Sequence, residues 1–167
     1  SNQRLAQAKA EIDEIAGALR RSENRLQLIF DSIPALIAHI DADEVFHYAN
    51  RAYADWFGRD KESLIGRPVR EIFGEAAYAQ IQPQLQIAHR GERVSYEYAR
   101  RNEQGRIVHA RSVIVPETDA AGRTGGFFVM SIDITEQKAN QAALVQAQKM
   151  EAVGQLTATG RIREIRR

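Results

Sequence analysis

Residues 36–58 read LIAHIDADEVFHYANRAYADWFG, and this stretch decides the fold. Leu36, Ala38 and Ile40 alternate with Ile37 and His39, which predicts a β-strand. Residues 45–48 predict a second strand, and Asp41-Ala-Asp43 between the two is typical of a turn, so the pair is a hairpin. Asn50 is a good N-cap for the short helix that follows, and Gly58 ends that helix.

The rest of residues 31–133 predicts short helices and then three strands. The helical ranges are 60–66, 69–73 and a longer segment that Pro83 should kink and that ends before Gly91. The strands are Val94–Arg100, Ile107–Val115 and Phe127–Ile132. Pro116 should end the second of them, and the Gly125-Gly126 pair is explained by conformational freedom at a turn. Two strands, helices and three strands predict an α+β domain, in which a five-stranded antiparallel sheet carries its helices on one face.

A long helix precedes this body, over residues 1–30, and Pro34 ends it. Aliphatic side chains recur at the a and d positions of a seven-residue repeat, and we call the large ones the heptad seam: Leu5, Ile12, Ile15, Leu19, Leu26 and Ile29. A helix packed on its own domain would show a wider stripe with a period of 3.6 residues. The strict repeat therefore predicts a coiled coil and a parallel homodimer.

A second long helix follows the body, over residues 134–157. Asp133-Ile-Thr-Glu136 resembles a capping box that opens this helix. Its apolar repeat is weaker, because Ala and Gln occupy half of the positions. We expect it to contribute to the same dimer, and residues 158–167 form a tail of uncertain origin.

Composition excludes several classes of function. The 167 residues contain 23 Lys and Arg against 22 Asp and Glu, which gives a net charge of +1 and no basic surface for nucleic acid. The absence of Cys excludes disulfides, thiolate metal sites and cysteine nucleophiles. No apolar run is long enough to insert into a membrane, and no secretory signal opens the chain. These features predict a cytoplasmic segment, either free or part of a longer membrane protein.

Several segments between residues 24 and 136 together resemble a PAS sensor domain. They are Phe30-Asp-Ser-Ile-Pro34, Tyr48-Ala-Asn-Arg-Ala-Tyr53 with Trp56-Phe-Gly58, Glu62-Ser-Leu-Ile-Gly66 and Asp133-Ile-Thr-Glu136. Residues 146–157 resemble the start of the dimerisation helix of sensor histidine kinases, but no His follows His109, so the phosphoacceptor is missing. The resemblance implies a signal-sensing and dimerisation module of a two-component histidine kinase that is not itself an enzyme. It also implies that Asp133 and Thr135 relay the signal to the second helix.

Strand alternation and the resemblance together predict a ligand pocket between the sheet and the helices. Its expected residues are Arg100, Tyr98, Tyr96, Ser112, Phe127, Val129, Ser131, Tyr53 and Phe57. An inward Arg100 needs an anionic partner, either a ligand carboxylate or an internal acid such as Glu62. A small organic acid is therefore a candidate ligand. The competing interpretation is a ligand-free scaffold that dimerises and relays a signal through a pocket filled by side chains.

No cofactor, metal or catalytic group is expected. In the light-oxygen-voltage subclass of the PAS family a reactive Cys follows Gly-Arg-Asn, whereas here Gly66-Arg67-Pro68 leads to Val69, so no cysteinyl flavin adduct can form. A flavin or haem sensor without such an adduct remains an alternative. The four His lack the placement for a haem ligand and the spacing for a metal site.

The outer face of the sheet should also be covered. The side chains expected to point outward are largely apolar: Val113, Val115, Phe128, Met130 and Ile132. A sheet that is apolar on both faces must be covered on both. The helix before Pro34 is the expected cover, from the same chain or from a partner.

Overall fold

An antiparallel sheet of five strands forms the centre of the molecule, whose computed structural model describes residues 1–165, with side chains for residues 1–158. The strands are β1 (Leu36–Asp41), β2 (Phe46–Ala49), β3 (Val94–Arg101), β4 (Ile107–Thr118) and β5 (Thr124–Asp133). Their spatial order is β2-β1-β5-β4-β3. The last strand therefore lies between the first hairpin and the β3–β4 hairpin, and the predicted fold class is confirmed.

Within residues 1–165, four α-helices and one short 3₁₀ helix accompany the sheet. They are α1 (Asn2–Ser32), α2 (Arg51–Trp56), the 3₁₀ helix Lys61–Ser63, α3 (Val69–His89) and α4 (Thr135–Ile165). The tail predicted over residues 158–167 begins within α4, and its residues 166 and 167 lie outside the described part of the chain. None of the helices in residues 1–165 has the length and apolar composition that a membrane span requires.

The structure confirms one predicted break and corrects one predicted boundary. Residues 69–73 and the longer segment are separate helical stretches, as predicted, and α3 joins them across a non-helical break at Gly74, where φ is 75°. Glycine adopts this left-handed conformation without steric cost. Pro116 does not end β4, because it pairs with Phe127 of β5. The β3 pairing of β4 stops at Ile114, so Pro116 occupies an edge position where the missing N–H is tolerated.

The core lies between the inner face of the sheet and the helices α2 and α3. The inward set predicted for α3 is buried: Tyr78, Ile81, Leu85 and Ala88. Phe46, Leu64 and Phe127 are among the largest side chains with almost no exposed surface. Because successive side chains of a strand point to opposite faces, every second residue of β1, β4 and β5 enters this core.

The two long helices contribute almost nothing to the core. No residue of α1 is buried, and its seam residues Leu5, Ile15 and Leu26 are 69%, 68% and 50% exposed. Within the described side chains of α4, Leu144, Met150 and Leu156 are also exposed. Each helix is therefore attached to the body at one end, where the contacts described below hold it.

Candidate functional site

The interior facing the sheet is filled by aromatic side chains. Ring centroids follow one another at 5.5 Å from Phe46 to Tyr53, 5.4 Å to Phe57, 4.9 Å to Phe73 and 5.4 Å to Tyr98. These are favourable distances for aromatic contacts. Packed rings therefore occupy the part of the interior where the ligand pocket was expected, between the sheet and the helices.

All nine residues predicted to line this interior point into it. Tyr53, Phe57, Tyr98, Ser112, Phe127, Val129 and Ser131 are buried, and Tyr96 and Arg100 are partly buried. The Ser112 and Ser131 hydroxyls bond to each other at 2.6 Å. Burial raises the pKa of Tyr96 to about 12 and raises the pKa of Tyr98 further, so both phenols are neutral at physiological pH. Their role as ligand contacts stays a prediction.

The guanidinium of Arg100 is held by a backbone carbonyl, an aromatic ring and an internal acid, which is the second of the two kinds of partner expected. Its Nη2 donates to the carbonyl oxygen of Trp56 at the end of α2, and its Cζ lies 4.5 Å from the ring centroid of Phe57. The nearest acid is Glu103, at 3.4 Å from Nη1, and not Glu62. Nε is buried and has no hydrogen-bond partner. Arg100 therefore keeps one free donor, while the rings and the carbonyl stabilise the rest of the cation.

The end of α1 is joined to the body by Asn50, a residue that sequence analysis identified only as a helix cap. Its Oδ1 accepts the N–H of Tyr53 at 3.0 Å, as a cap should, and the N–H of Ile37 at 3.0 Å. Its Nδ2 donates to the carbonyl oxygens of Phe30 at 2.8 Å and Ala35 at 2.9 Å. The side chain is completely buried, so this amide fixes the last turn of α1 against the sheet.

Asp31 adds an ion pair at the same junction. Its Oδ2 lies 2.8 Å from Nζ of Lys61, and its Oδ1 accepts the backbone N–H of Arg51 at 2.9 Å. Burial alone would raise the pKa of Asp31, but the hydrogen bonds from Lys61 and Arg51 outweigh it and the pKa is lowered. The carboxylate is therefore charged at neutral pH and ties α1 to the segment after α2.

The start of α4 is joined to β4. The N–H of Ile134 donates to the carbonyl oxygen of His109 at 2.9 Å, and the N–H of His109 donates to Oγ1 of Thr135 at 2.9 Å. Asp133 accepts the N–H of Thr135 at 2.9 Å. The predicted capping box is therefore wrong in its partners: Asp133 bonds the first residue of the helix, and Thr135 bonds the sheet. Ile134, between Asp133 and Thr135, is buried. The first residues of α4 are therefore held in a fixed position against β4.

The outer face of the sheet carries an apolar groove of about 890 Å³, and we call it the outer groove. Its apolar lining includes Leu26, Phe30, Ile37, Val113, Val115, Phe128 and Met130. The α1 helix forms one wall and does not cover the face, since Phe128 and Met130 remain 49% and 56% exposed. The prediction that α1 of the same chain covers the outer face is therefore wrong. Cover by a helix of a partner chain stays a prediction.

Two histidines of the hairpin strands β1 and β2 pair with carboxylates. His39 lies 3.1 Å from Glu117, and His47 lies 2.8 Å from Asp41. Within the described residues, no group of three or more His, Cys, Asp or Glu could hold a metal ion.

Known proteins that resemble this chain are sensors. The sequence model described as the PAS fold matches residues 30–139. The sensor kinase CckA of Brucella abortus is 30% identical over 161 residues, which cover 89% of this chain and 16% of CckA. The two-component sensor PprA of Pseudomonas aeruginosa is 28% identical over 145 residues, which cover 84% of this chain and 15% of PprA.

A solved structure agrees with the fold. The PAS domain of an HTR-like protein from Haloarcula marismortui superposes with a TM-score of 0.58 and 22% identity, over 73% of this chain and 99% of that one. The chain therefore spans a whole domain of this kind, but only 16% of the length of the sensor kinase CckA and 15% of the length of the two-component sensor PprA.

Proposed function

The chain belongs to the PAS fold family, and we propose that it relays signals and dimerises within a longer two-component sensor histidine kinase. Its PAS domain has sensor-kinase relatives, which supports a sensor role. The observation that carries the proposal is the bonding of Ile134 and Thr135 to His109, because it links the output helix α4 to the central part of the sheet. A displacement of β4 would move the root of α4 with it.

The N-terminal helix α1, which would receive the input signal, is also bonded to the body. Asn50 and Asp31 fasten α1 to the body through partly or fully buried hydrogen bonds. A rotation or shift of α1 would therefore act on the β1–β2 hairpin and α2 before it reaches the other three strands of the sheet. The proposed path runs from α1 through Asn50 to the sheet, and from His109 to α4.

Replacement of Asp133 and Thr135 with Ala in the longer kinase tests this path. The double variant should change the basal autophosphorylation level while the PAS domain stays folded, because α4 loses two of its links at the root. The matched control is Asp43→Ala with Thr118→Ala, two exposed residues in the β1–β2 turn and at the end of β4. Equal autophosphorylation of the relay variant, the control and the wild type would refute the relay.

We propose that the dimer partner is a second copy of this chain. The heptad seam and the outer groove are both apolar and exposed, and Leu26 belongs to both. A parallel pairing of α1 helices would bury the seam and bring each copy's α1 near the other's outer groove. Such an interface would cover the heptad seam and the outer groove, which are both exposed to water in a monomer.

A second candidate function is the sensing of a small organic acid. The free Nε of Arg100 favours it, since a buried unpaired donor would gain from a ligand oxygen. The aromatic filling of the interior favours the ligand-free relay instead. Thermal unfolding with a panel of organic acids separates the two: a sensor predicts an acid that stabilises the wild type but not Arg100→Ala. An acid that stabilises both equally contradicts the Arg100 site, and a panel without effect supports the ligand-free relay.

A further inference from the structure

Three charged residues meet where α4 passes the outer face of the sheet, and we call them the Glu97 cluster. Glu97 of β3 and Arg111 of β4 are direct register partners. Oε1 of Glu97 lies 3.0 Å from Nη2 and 3.2 Å from Nε of Arg111. Oε2 lies 2.8 Å from Nζ of Lys138, which belongs to α4. Each carboxylate oxygen therefore bonds one cation, and the cluster joins β3, β4 and α4.

Lys138 is placed where its contact with Glu97 can restrain the direction of α4. Lys138 lies in the first turn of α4, where its N–H donates to the carbonyl oxygen of Ile134 at 2.9 Å. The bonds to His109 hold the chain just before that turn, and the Glu97 cluster holds the turn itself. One point of attachment would let a helix pivot, whereas two points define its direction.

The cluster is exposed enough to open while the body stays folded. The side chains of Glu97 and Lys138 are each 39% exposed, against 18% and 21% for the Asp31–Lys61 pair at the root of α1. Ion pairs at such exposure add little to stability and are screened by salt. The hydrogen bonds from Lys138 and Arg111 lower the pKa of Glu97, so the carboxylate is charged at neutral pH.

We propose that Glu97 is a positioning residue that sets the angle at which α4 leaves the sheet. This inference rests on the proposed relay and names a contact at which its output is tuned. When the cluster is closed, α4 follows the outer face at a fixed angle. When it opens, α4 remains attached at His109 and its direction varies.

Spin labels on α3 and α4 measure this angle directly. The chain has no Cys, so Gln86→Cys and Gln146→Cys, two exposed positions, can be labelled without other changes. Pulsed electron paramagnetic resonance then gives the distribution of the distance between them, in samples diluted with unlabelled protein so that only distances within one chain contribute. The wild type at low salt should give a narrow distribution, and high salt should broaden it.

The variants separate positioning from a structural role. Glu97→Gln and Lys138→Met should each broaden the distribution at low salt, and the double variant should broaden it no further, because both changes break one contact. Lys138→Arg should preserve the narrow distribution. Glu92→Gln is the matched control, since it breaks an exposed pair between Arg90 and Glu92, in the segment between α3 and β3. Thermal unfolding should be nearly unchanged in all of them.

A narrow distribution in both Glu97→Gln and Lys138→Met at low salt would overturn the proposal, and so would a broadening in Glu92→Gln of equal size. If Glu97→Gln does not fold, Lys138→Met alone decides, because Lys138 lies on a surface helix. The measurement requires neither kinase activity nor a dimer. Its failure therefore leaves the Asp133 and Thr135 relay test unaffected, and a failed relay test leaves this angle measurement valid.

Discussion

Asn50 illustrates at the scale of one residue how α1 is attached. All four hydrogen-bonding positions of its amide are used, two as acceptor and two as donor, and none is exposed to water. Aspartate has almost the same shape but no N–H to donate. The carbonyl oxygens of Phe30 and Ala35 would then lose their donor, and a charge would be buried beside them.

We therefore expect Asn50→Asp to lower the free energy of unfolding by about 3 kcal/mol or more. The matched control is Asn102→Asp in an exposed turn, where the side-chain oxygen accepts the N–H groups of Gln104 at 3.1 Å and Arg106 at 2.9 Å. Its Nδ2 donates only to Oε1 of Gln104 at 3.2 Å, and that exposed side chain can turn to water when the donor is lost. That change should stay within about 0.5 kcal/mol of the wild type. Urea unfolding measures both, and similar losses in the two variants would mean that the Asn50 donors contribute little.

Gly126 shows how the strands constrain one another at the scale of elements. It pairs with Asp41 of β1 and Glu117 of β4. A Cβ at this position would lie 2.8 Å from the carbonyl oxygen of Ile40 and 3.2 Å from Nε2 of His39. The explanation by turn flexibility is wrong for this residue: glycine is needed because β1 approaches closely and the His39–Glu117 pair crosses over it.

Gly126→Ala should lower the free energy of unfolding by about 1–3 kcal/mol, because a backbone oxygen must move to admit the methyl group. Its neighbour offers the control, since a Cβ at Gly125 meets nothing within 4 Å. Gly125→Ala should be neutral or slightly stabilising. Thermal or urea unfolding compares the pair, and equal stability of the two variants would contradict the close approach of β1.

At the scale of the whole molecule, the heptad seam and the outer groove are two of the apolar surfaces that the described side chains leave in water. Ile12 and Leu19 are 65% and 58% exposed on α1. A coiled coil between two copies would bury both side chains at a positions. Charge at those positions would be buried without a partner, which strongly opposes association.

Ile12→Asp with Leu19→Asp should therefore convert the protein from a dimer to a monomer. Light scattering gives the molar mass directly. Ala10→Asp with Asn24→Asp is the matched control, since these exposed residues lie opposite the seam in the repeat and should leave the dimer intact. A dimer that persists in the seam variant would place the main interface elsewhere, with the outer groove as the next surface to test.

The sequence by itself determined the element types, the fold class and the inward set of side chains. Alternation has a period of two, so it assigned Tyr98, Ser112 and Val129 to the inner face without knowledge of which strands are neighbours. The seven-residue repeat similarly identified the exposed aliphatic stripe of α1. These properties depend on residues close together in the chain, whose relative directions local geometry fixes.

Only the tertiary structure decided which distant groups meet. The donors of Asn50, the carbonyl that holds Arg100, the contact of Lys138 with Glu97 and the close approach at Gly126 all join segments far apart in sequence. These contacts depend on how the strands and helices are arranged around the order β2-β1-β5-β4-β3, and the Lys138 contact depends also on the direction in which α4 leaves the sheet. Local pattern does not specify these, because many strand orders satisfy the same alternation, and packing of the complete chain selects one of them.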